Sequence, residues 1–251
     1  MMGQNGERIG TVGALWRYPV QSMRGEALVE AEVGASGICG DRAYGVVDPE
    51  IGKAITSAGG KRKWRDLVTY TARFTAPPEP DAPMPPVEIT LPDGTRFTGD
   101  LPDIDARLSK HLGRPVRFAS LATAEAAYAL SPLHLLTTAT LRELGRHYPE
   151  GRFELARFRP NVVIDTGEST GFPETGWIGR ELAIGESLRL RIADHCKRCV
   201  MTVLPQGDLP QDPAILQTVR EHNATRAGIY AELLQPGAIR QGDEVRLLPN
   251  G

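Results

Sequence analysis

Cysteine is scarce in this chain, three in 251 residues, and that scarcity excludes a disulfide framework, which needs even numbers of closely spaced pairs. An odd count fits a reducing compartment, so the expected location is cytoplasmic. No window approaches the 18 apolar residues of a membrane span, and Met1 to Gly10 has no apolar signal core. An excess of one charge is also missing: 29 Lys and Arg face 31 Asp and Glu, a formal charge of -2. Without an overall basic field, neither nucleic acid nor an anionic membrane is an expected partner. The five histidines show no paired ligand spacing, which leaves a structural zinc site short of its four donors.

What is abundant is strand pattern. Leu188, Leu190 and Ile192 alternate with Arg189 and Arg191, the period of a half-buried strand. Similar runs span Ile9–Trp16, Ala27–Val33, Ala43–Val47, Leu67–Phe74, Val87–Leu91, Val116–Ala119, Val162–Ile164 and Glu244–Leu248. Six prolines between Pro77 and Pro86 rule out helix or inner strand and are expected to form a long hairpin loop. Helices are expected after Asp103, ending at Gly113, after Thr137 or Thr138, and after Asp212-Pro213. About a dozen strand candidates against three short helices predict a mainly β, barrel-like architecture. The alanine-rich stretch from Leu121 to Leu130 is the nearest thing to a domain boundary.

Chemistry concentrates in Asp194-His195-Cys196-Lys197-Arg198-Cys199-Val200-Met201-Thr202. No helical pattern follows, so the two thiols are expected in a turn between extended runs, unlike a redox-active Cys-x-x-Cys that opens a helix. Lys197 and Arg198 favour a thiolate, and a soft thiolate on a turn suits a metal centre; an inert, reduced pair is the plain alternative. Arg157-Phe158-Arg159-Pro160-Asn161 sets two guanidinium groups and an amide at a strand entrance. That cluster reads as an anion clamp, or as surface ion pairs.

Tyr18-Pro19-Val20-Gln21-Ser22, Gly40-Asp41-Arg42, Leu135-Leu136-Thr137-Thr138, Arg157–Asn161, the Cys196-x-x-Cys199 turn and the closing Pro236-Gly237 and Gly242-Asp243 turns occur in one order. As an ordered set they resemble the MOSC domain proteins, named after the C-terminal domain of molybdenum cofactor sulfurase. The resemblance implies an N-terminal MOSC β-barrel-like domain over residues 1–120 and the MOSC domain over 121–251, with a few short covering helices. The best understood members are similar to the mitochondrial amidoxime-reducing component, which holds molybdenum on a pyranopterin phosphate and reduces N-hydroxylated compounds. The same resemblance places Cys199 as the molybdenum-ligating thiolate and Ser22, Arg42, Thr56, Thr137, Arg159 and Asn161 at cofactor contacts. It also implies a small-molecule substrate and a separate electron donor of flavoprotein, ferredoxin or cytochrome type. Pyridoxal phosphate is a further association at family level.

Two departures stand out. Gln21 occupies a position where the family usually has lysine, so one phosphate or pterin charge contact is lost or is replaced by Lys61 or Lys63. Val203-Leu204-Pro205-Gln206-Gly207-Asp208 replaces the Val-Asp-Pro pattern that follows the thiolate in the amidoxime reducers. The resemblance therefore implies a molybdenum-dependent oxidoreductase, with two rival readings: a sulfur carrier with a persulfide on Cys199, and a non-catalytic binding barrel.

Overall fold

The computed structural model describes residues 6–57, 62–121 and 133–249. The first part of the chain forms β1 (Glu7–Arg17), β2 (Glu26–Leu28), β3 (Glu30–Gly34), β4 (Gly37–Ile38), β5 (Tyr44–Asp48) and β6 (Lys53–Ala54). After these come β7 (Thr71–Phe74), β8 (Val87–Thr90), β9 (Arg96–Thr98), α1 (Ile104–Leu112) and β10 (Arg117–Ser120). The second part contributes β11 (Leu133–Thr137), α2 (Thr138–His147), α3 (Leu155–Phe158), β12 (Val162–Asp165), β13 (Glu181–Ile184) and β14 (Leu188–Lys197). It ends with α4 (Pro213–Asn223), β15 (Arg226–Gln235), β16 (Gly237–Arg240) and β17 (Glu244–Leu247).

Seven strands close a barrel in the order β12-β11-β15-β14-β13-β17-β1, with β1 returning to β12 and β2 added beside β1. Closure depends on β1, which pairs with β17 through Glu7–Thr11 and with β12 through Thr11–Leu15. Register shifts at Arg8/Gly10 and Val12/Ala14 supply the bend between the two partners. Gly10 sits where a Cβ would come within 2.2 Å of the Asp165 carbonyl oxygen, so the strands approach this closely only without a side chain there. The alternation read in β14 holds: Leu188, Leu190 and Ile192 are buried with Val12, Leu15, Leu135 and Ile229 inside the barrel. Burying each such side chain contributes about 1.5–3 kcal/mol.

Three smaller three-stranded sheets surround it, β10-β5-β6, β16-β3-β4 and β7-β8-β9. A second core of Val20, Met23, Val46, Trp64, Leu67 and Ile89 lies beneath the first and last of these. Pairing crosses residue 120 in both directions, since β1 and β2 join the barrel and β16 pairs with β3. Leu136, Leu144, Phe158, Ile215 and Val219 form a third core, which seats α2 and α4.

The proline-rich segment is a hairpin connection, as β7 and β8 pair antiparallel from Phe74↔Val87 onward. Two expectations are corrected. Only Thr71–Phe74 of the run Leu67–Phe74 is strand; Arg62–Thr69 winds as a 3-10 helix, because Trp64, Leu67 and Val68 are buried at helical spacing. Val200–Val203, expected to be extended, is a 3-10 turn, since both the backbone N–H and the hydroxyl of Thr202 donate to the Cys199 carbonyl. Residues 58–61 and 122–132, which include Lys61 and most of the alanine-rich connection, lie outside the described residues.

Candidate functional site

Two loops from the first part of the chain meet two from the second at one mouth of the barrel. The loop leaving β1 turns at Ser22 and the loop entering β5 turns at Arg42; they are stitched by Arg42 N to the Tyr18 carbonyl, Tyr44 N to Pro19 and Gln21 N to Tyr44. Against them lies Arg159-Pro160-Asn161: the Tyr18 hydroxyl donates to the Pro160 carbonyl at 3.1 Å, and Arg159 Nη1 donates to the Met23 carbonyl at 2.6 Å. Ser22, Arg42 and Arg159 all adopt left-handed backbone, with φ of 68°, 51° and 55°. A non-glycine residue held there costs on the order of 1–3 kcal/mol, a strain that gathers at binding sites. Three of the positions implied as cofactor contacts share it.

The electrostatics of this mouth are one-sided. Arg159 and Arg42 both lie on the Tyr18 ring, 4.1 and 5.4 Å from its centroid. Arg42 pairs with Asp41, whose other oxygen accepts from Tyr18 N. Arg159 is only 6% exposed and, among the described residues, forms no ion pair with a carboxylate. Burial, partly offset by Tyr18 and reinforced by repulsion from Arg42, pushes its guanidinium down to about 10, so it is still charged at neutral pH. A buried cation without a partner anion is the electrostatic condition for binding an oxyanion.

The thiols differ sharply. Cys199 is exposed and opens the 3-10 turn, whereas Cys196 is 1% exposed at the end of β14. Arg198, expected to favour ionisation at this turn, is directed to Cys196: its Nη1 lies 2.7 Å from Sγ and its Nη2 donates to the Phe158 carbonyl. Burial pushes the Cys196 thiol up, but Arg198, then His134 and the Tyr230 hydroxyl, outweigh it and bring it down to about 6. Burial, reinforced by the Cys196 sulfur, pushes Tyr230 up.

The remaining implied residues divide. Asn161 frames the site, its Oδ1 accepting from His134 N and its Nδ2 donating to the Trp16 carbonyl. Thr56 neighbours Ser57, whose N–H donates to Ser22 Oγ, so both belong to the loop side of the mouth. Thr137 is otherwise engaged: its hydroxyl donates to Glu174 at 2.7 Å and accepts from Thr140 N as the cap of α2. Arg157 is not part of a clamp; fully buried, it spends its guanidinium on the carbonyls of Arg152, Thr202, Leu204 and Pro210. Sequence reasoning missed His134 and Tyr230, whose rings face one another at 5.7 Å. The signal for His134 was a lone polar residue inside the apolar run Leu133–Leu136.

Several buried polar atoms here have no hydrogen-bond partner among the described residues: Gln21 Oε1, Gln206 Oε1, His134 Nε2 and Arg198 Nε. Leaving such groups unpaired costs about 1–3 kcal/mol each, which a polar ligand recovers. A buried guanidinium, unpaired polar edges and an exposed thiol are a donor set that an anionic group with hydrogen-bonding edges and a thiolate-binding metal would fit.

The comparisons with known proteins agree with the architecture. The family model for the MOSC domain matches residues 109–246, and that for the MOSC N-terminal beta barrel domain matches residues 9–129. The chain belongs to the MOSC family. Mitochondrial amidoxime-reducing component 1 of Mus musculus is 26% identical, over 96% of this chain and 83% of its own length. The Homo sapiens component 1 is 27% identical, over 96% and 84%. In fold, the MOSC chain is similar to the crystal structure of the YUAD protein from Bacillus subtilis, with a TM-score of 0.52 at 11% identity over 96% of this chain and 97% of that one.

Proposed function

We propose that this MOSC protein is a molybdenum-cofactor-binding oxidoreductase that removes oxygen from N-hydroxylated or N-oxide-type small molecules, using electrons from a separate donor protein. The observation that carries this reading is the buried Arg159 guanidinium, beside Arg42 and without a carboxylate of its own, in a mouth whose neighbouring turn exposes the Cys199 thiol. A pterin phosphate needs the first and molybdenum the second. The names of the relatives, all amidoxime-reducing components, support the reaction class.

The cofactor, when bound, supplies the two-electron oxygen-atom chemistry. Arg159 and Arg42 would bind its phosphate, with the Tyr18 ring beneath them on the buried side. Ser22 and Thr56 line the opposite loop, Asn161 fixes the spacing between β1 and the Arg159 turn, and the Cys199 sulfur would ligate the metal. For an N-hydroxylated substrate the balance is two electrons and two protons consumed, the N–O bond broken, an N–H bond formed and water released. The electrons would come from the separate donor protein.

Metal analysis of protein made in a host that synthesises the cofactor tests this reading, with about one molybdenum per chain expected. Cyanide-releasable sulfur without metal would instead establish the sulfur carrier, and the absence of both would leave a binding barrel.

A further inference from the structure

We propose that Cys196 is an ionised anchor: its thiolate holds Arg198, and Arg198 latches the Cys199 turn to the Arg159 loop. The inference deepens the proposed function and rests on it only in taking Cys199 and Arg159 as parts of one site.

Cys196 is buried near the end of β14, past register shifts at Ile192/Asp194 and His195/Lys197, and its sulfur meets the polar end of the barrel. Three polar side chains gather around it there. Arg198 Nη1 lies 2.7 Å away, Tyr230 approaches from β15 with its hydroxyl, and the His134 ring approaches from β11. His134 Nδ1 lies 3.2 Å from the Arg159 carbonyl, which makes it the ring's donor and leaves Nε2 without a partner among the described residues. Farther out stand the Arg42 and Arg159 cations of the loops and Arg226 of β15, while Asp194, His195 and Lys197 of β14 itself are exposed or half-exposed. A neutral thiol is a weak acceptor for the Arg198 guanidinium, whereas a thiolate gives it a charge-assisted bond.

Arg198 makes the complementary case. Among the described residues it has no carboxylate partner, so the sulfur is its counter-charge. Its other contacts tie together three segments: the backbone N–H donates to the Thr225 carbonyl at 2.7 Å, Nη2 donates to the Phe158 carbonyl at 2.7 Å, and the guanidinium lies 5.5 Å from the Phe158 ring. Thr225 and Ala224 are themselves left-handed, at φ 66° and 49°, so the chain is bent to present that carbonyl. Arg198 directly precedes Cys199 and Phe158 directly precedes Arg159. One guanidinium therefore sets the spacing between the thiol turn and the buried cation, and its orientation depends on an anion at residue 196. Serine, which keeps the shape without the charge, cannot supply it.

Two measurements on full-length protein from a host without the cofactor test this, so that failure of the molybdenum reading leaves them intact. In a Cys39→Ser/Cys199→Ser background the ultraviolet thiolate absorbance reports Cys196 alone. It should persist at neutral pH, and Arg198→Met should raise the sulfur's proton affinity about tenfold or more. In protein retaining all other residues, Cys196→Ser and Arg198→Met should each speed iodoacetamide alkylation of Cys199 about threefold or more. The double variant should be no faster than either, and Cys196→Asp, which restores an anion, should recover much of the slow rate. A Cys196 that is protonated at neutral pH, additive effects in the double variant, or an unchanged Cys199 rate would each overturn the anchor. Should Arg198→Met fail to fold, Arg198→Lys, which keeps charge but not the two-carbonyl reach, must still speed alkylation.

Discussion

The Arg159 guanidinium lies 4.1 Å from the centre of the Tyr18 ring, and the Tyr18 hydroxyl in turn donates to the carbonyl of Pro160, the next residue along from Arg159. Each residue thus holds the other's backbone and side chain in place. Arg159 is for that reason a costly residue to delete: Arg159→Ala removes a cation and also opens the packing against Tyr18. Arg42 separates the two effects better, because its side chain is 35% exposed. Arg42→Gln keeps a donor for Asp41 while losing the charge. It should lower retained molybdenum about tenfold, with stability changed by no more than about 1 kcal/mol. Metal content per folded chain, measured beside a melting curve, checks it, and full retention would return Arg42 to the role of a surface ion pair.

Arg157 should show the reverse. With every guanidinium nitrogen committed to carbonyl oxygens of Arg152, Thr202, Leu204 and Pro210, Arg157→Met leaves buried acceptors unpaired. The loss should be about 3 kcal/mol or more of stability. Denaturant unfolding measures that loss, and molybdenum per folded chain should stay within about twofold of the parent.

Much of this architecture was legible because it is local. Strand alternation from Leu188 to Ile192, the proline-rich hairpin and the Asp212-Pro213 helix start all follow from the backbone preferences of the residues themselves. The 3-10 segments were not legible, since Thr202 chooses between strand and turn through two bonds to one carbonyl, that of Cys199. Nor could spacing distinguish Arg157 from Arg159, two residues apart, one satisfied by carbonyls and the other left charged beside Tyr18. The difference arises from a change in backbone direction at Arg159, where α3 ends in left-handed geometry. His134 and Tyr230 became visible only when β11 and β15 paired and set the two opposite each other.

Stability should depend on pH through Cys196. Its folded value near 6 lies below the ordinary thiol value, so the unfolded chain binds the extra proton between them. The stabilisation is fully present above about pH 9, falls as pH falls, and is gone below about pH 6. Wild type minus Cys196→Ala should therefore show melting temperatures diverging by several degrees from pH 6 to pH 9. Tyr18 and Tyr230, both pushed up, titrate above this window and do not contribute within it. A difference that stays flat across the window would show that the sulfur is not ionised in the folded protein.

The two cysteines should also separate in turnover. Cys199→Ser places a harder, poorer electron donor at the exposed turn and should abolish reduction of an N-hydroxylated test substrate supplied with an artificial electron donor. Cys196→Ser leaves that sulfur in place and removes only the counter-charge of Arg198, so activity should fall partway, about tenfold, as the turn loses its fixed spacing from Arg159. Cys196→Asp should regain part of the loss. A redox disulfide predicts a different pattern, in which either serine substitution is equally damaging because the bond needs both sulfurs. Folding of each variant is checked first by its melting curve, and activity is then expressed per bound molybdenum. Full activity in Cys199→Ser would remove the thiolate from the metal, and equal loss in the two serine variants would replace the anchor with a redox pair.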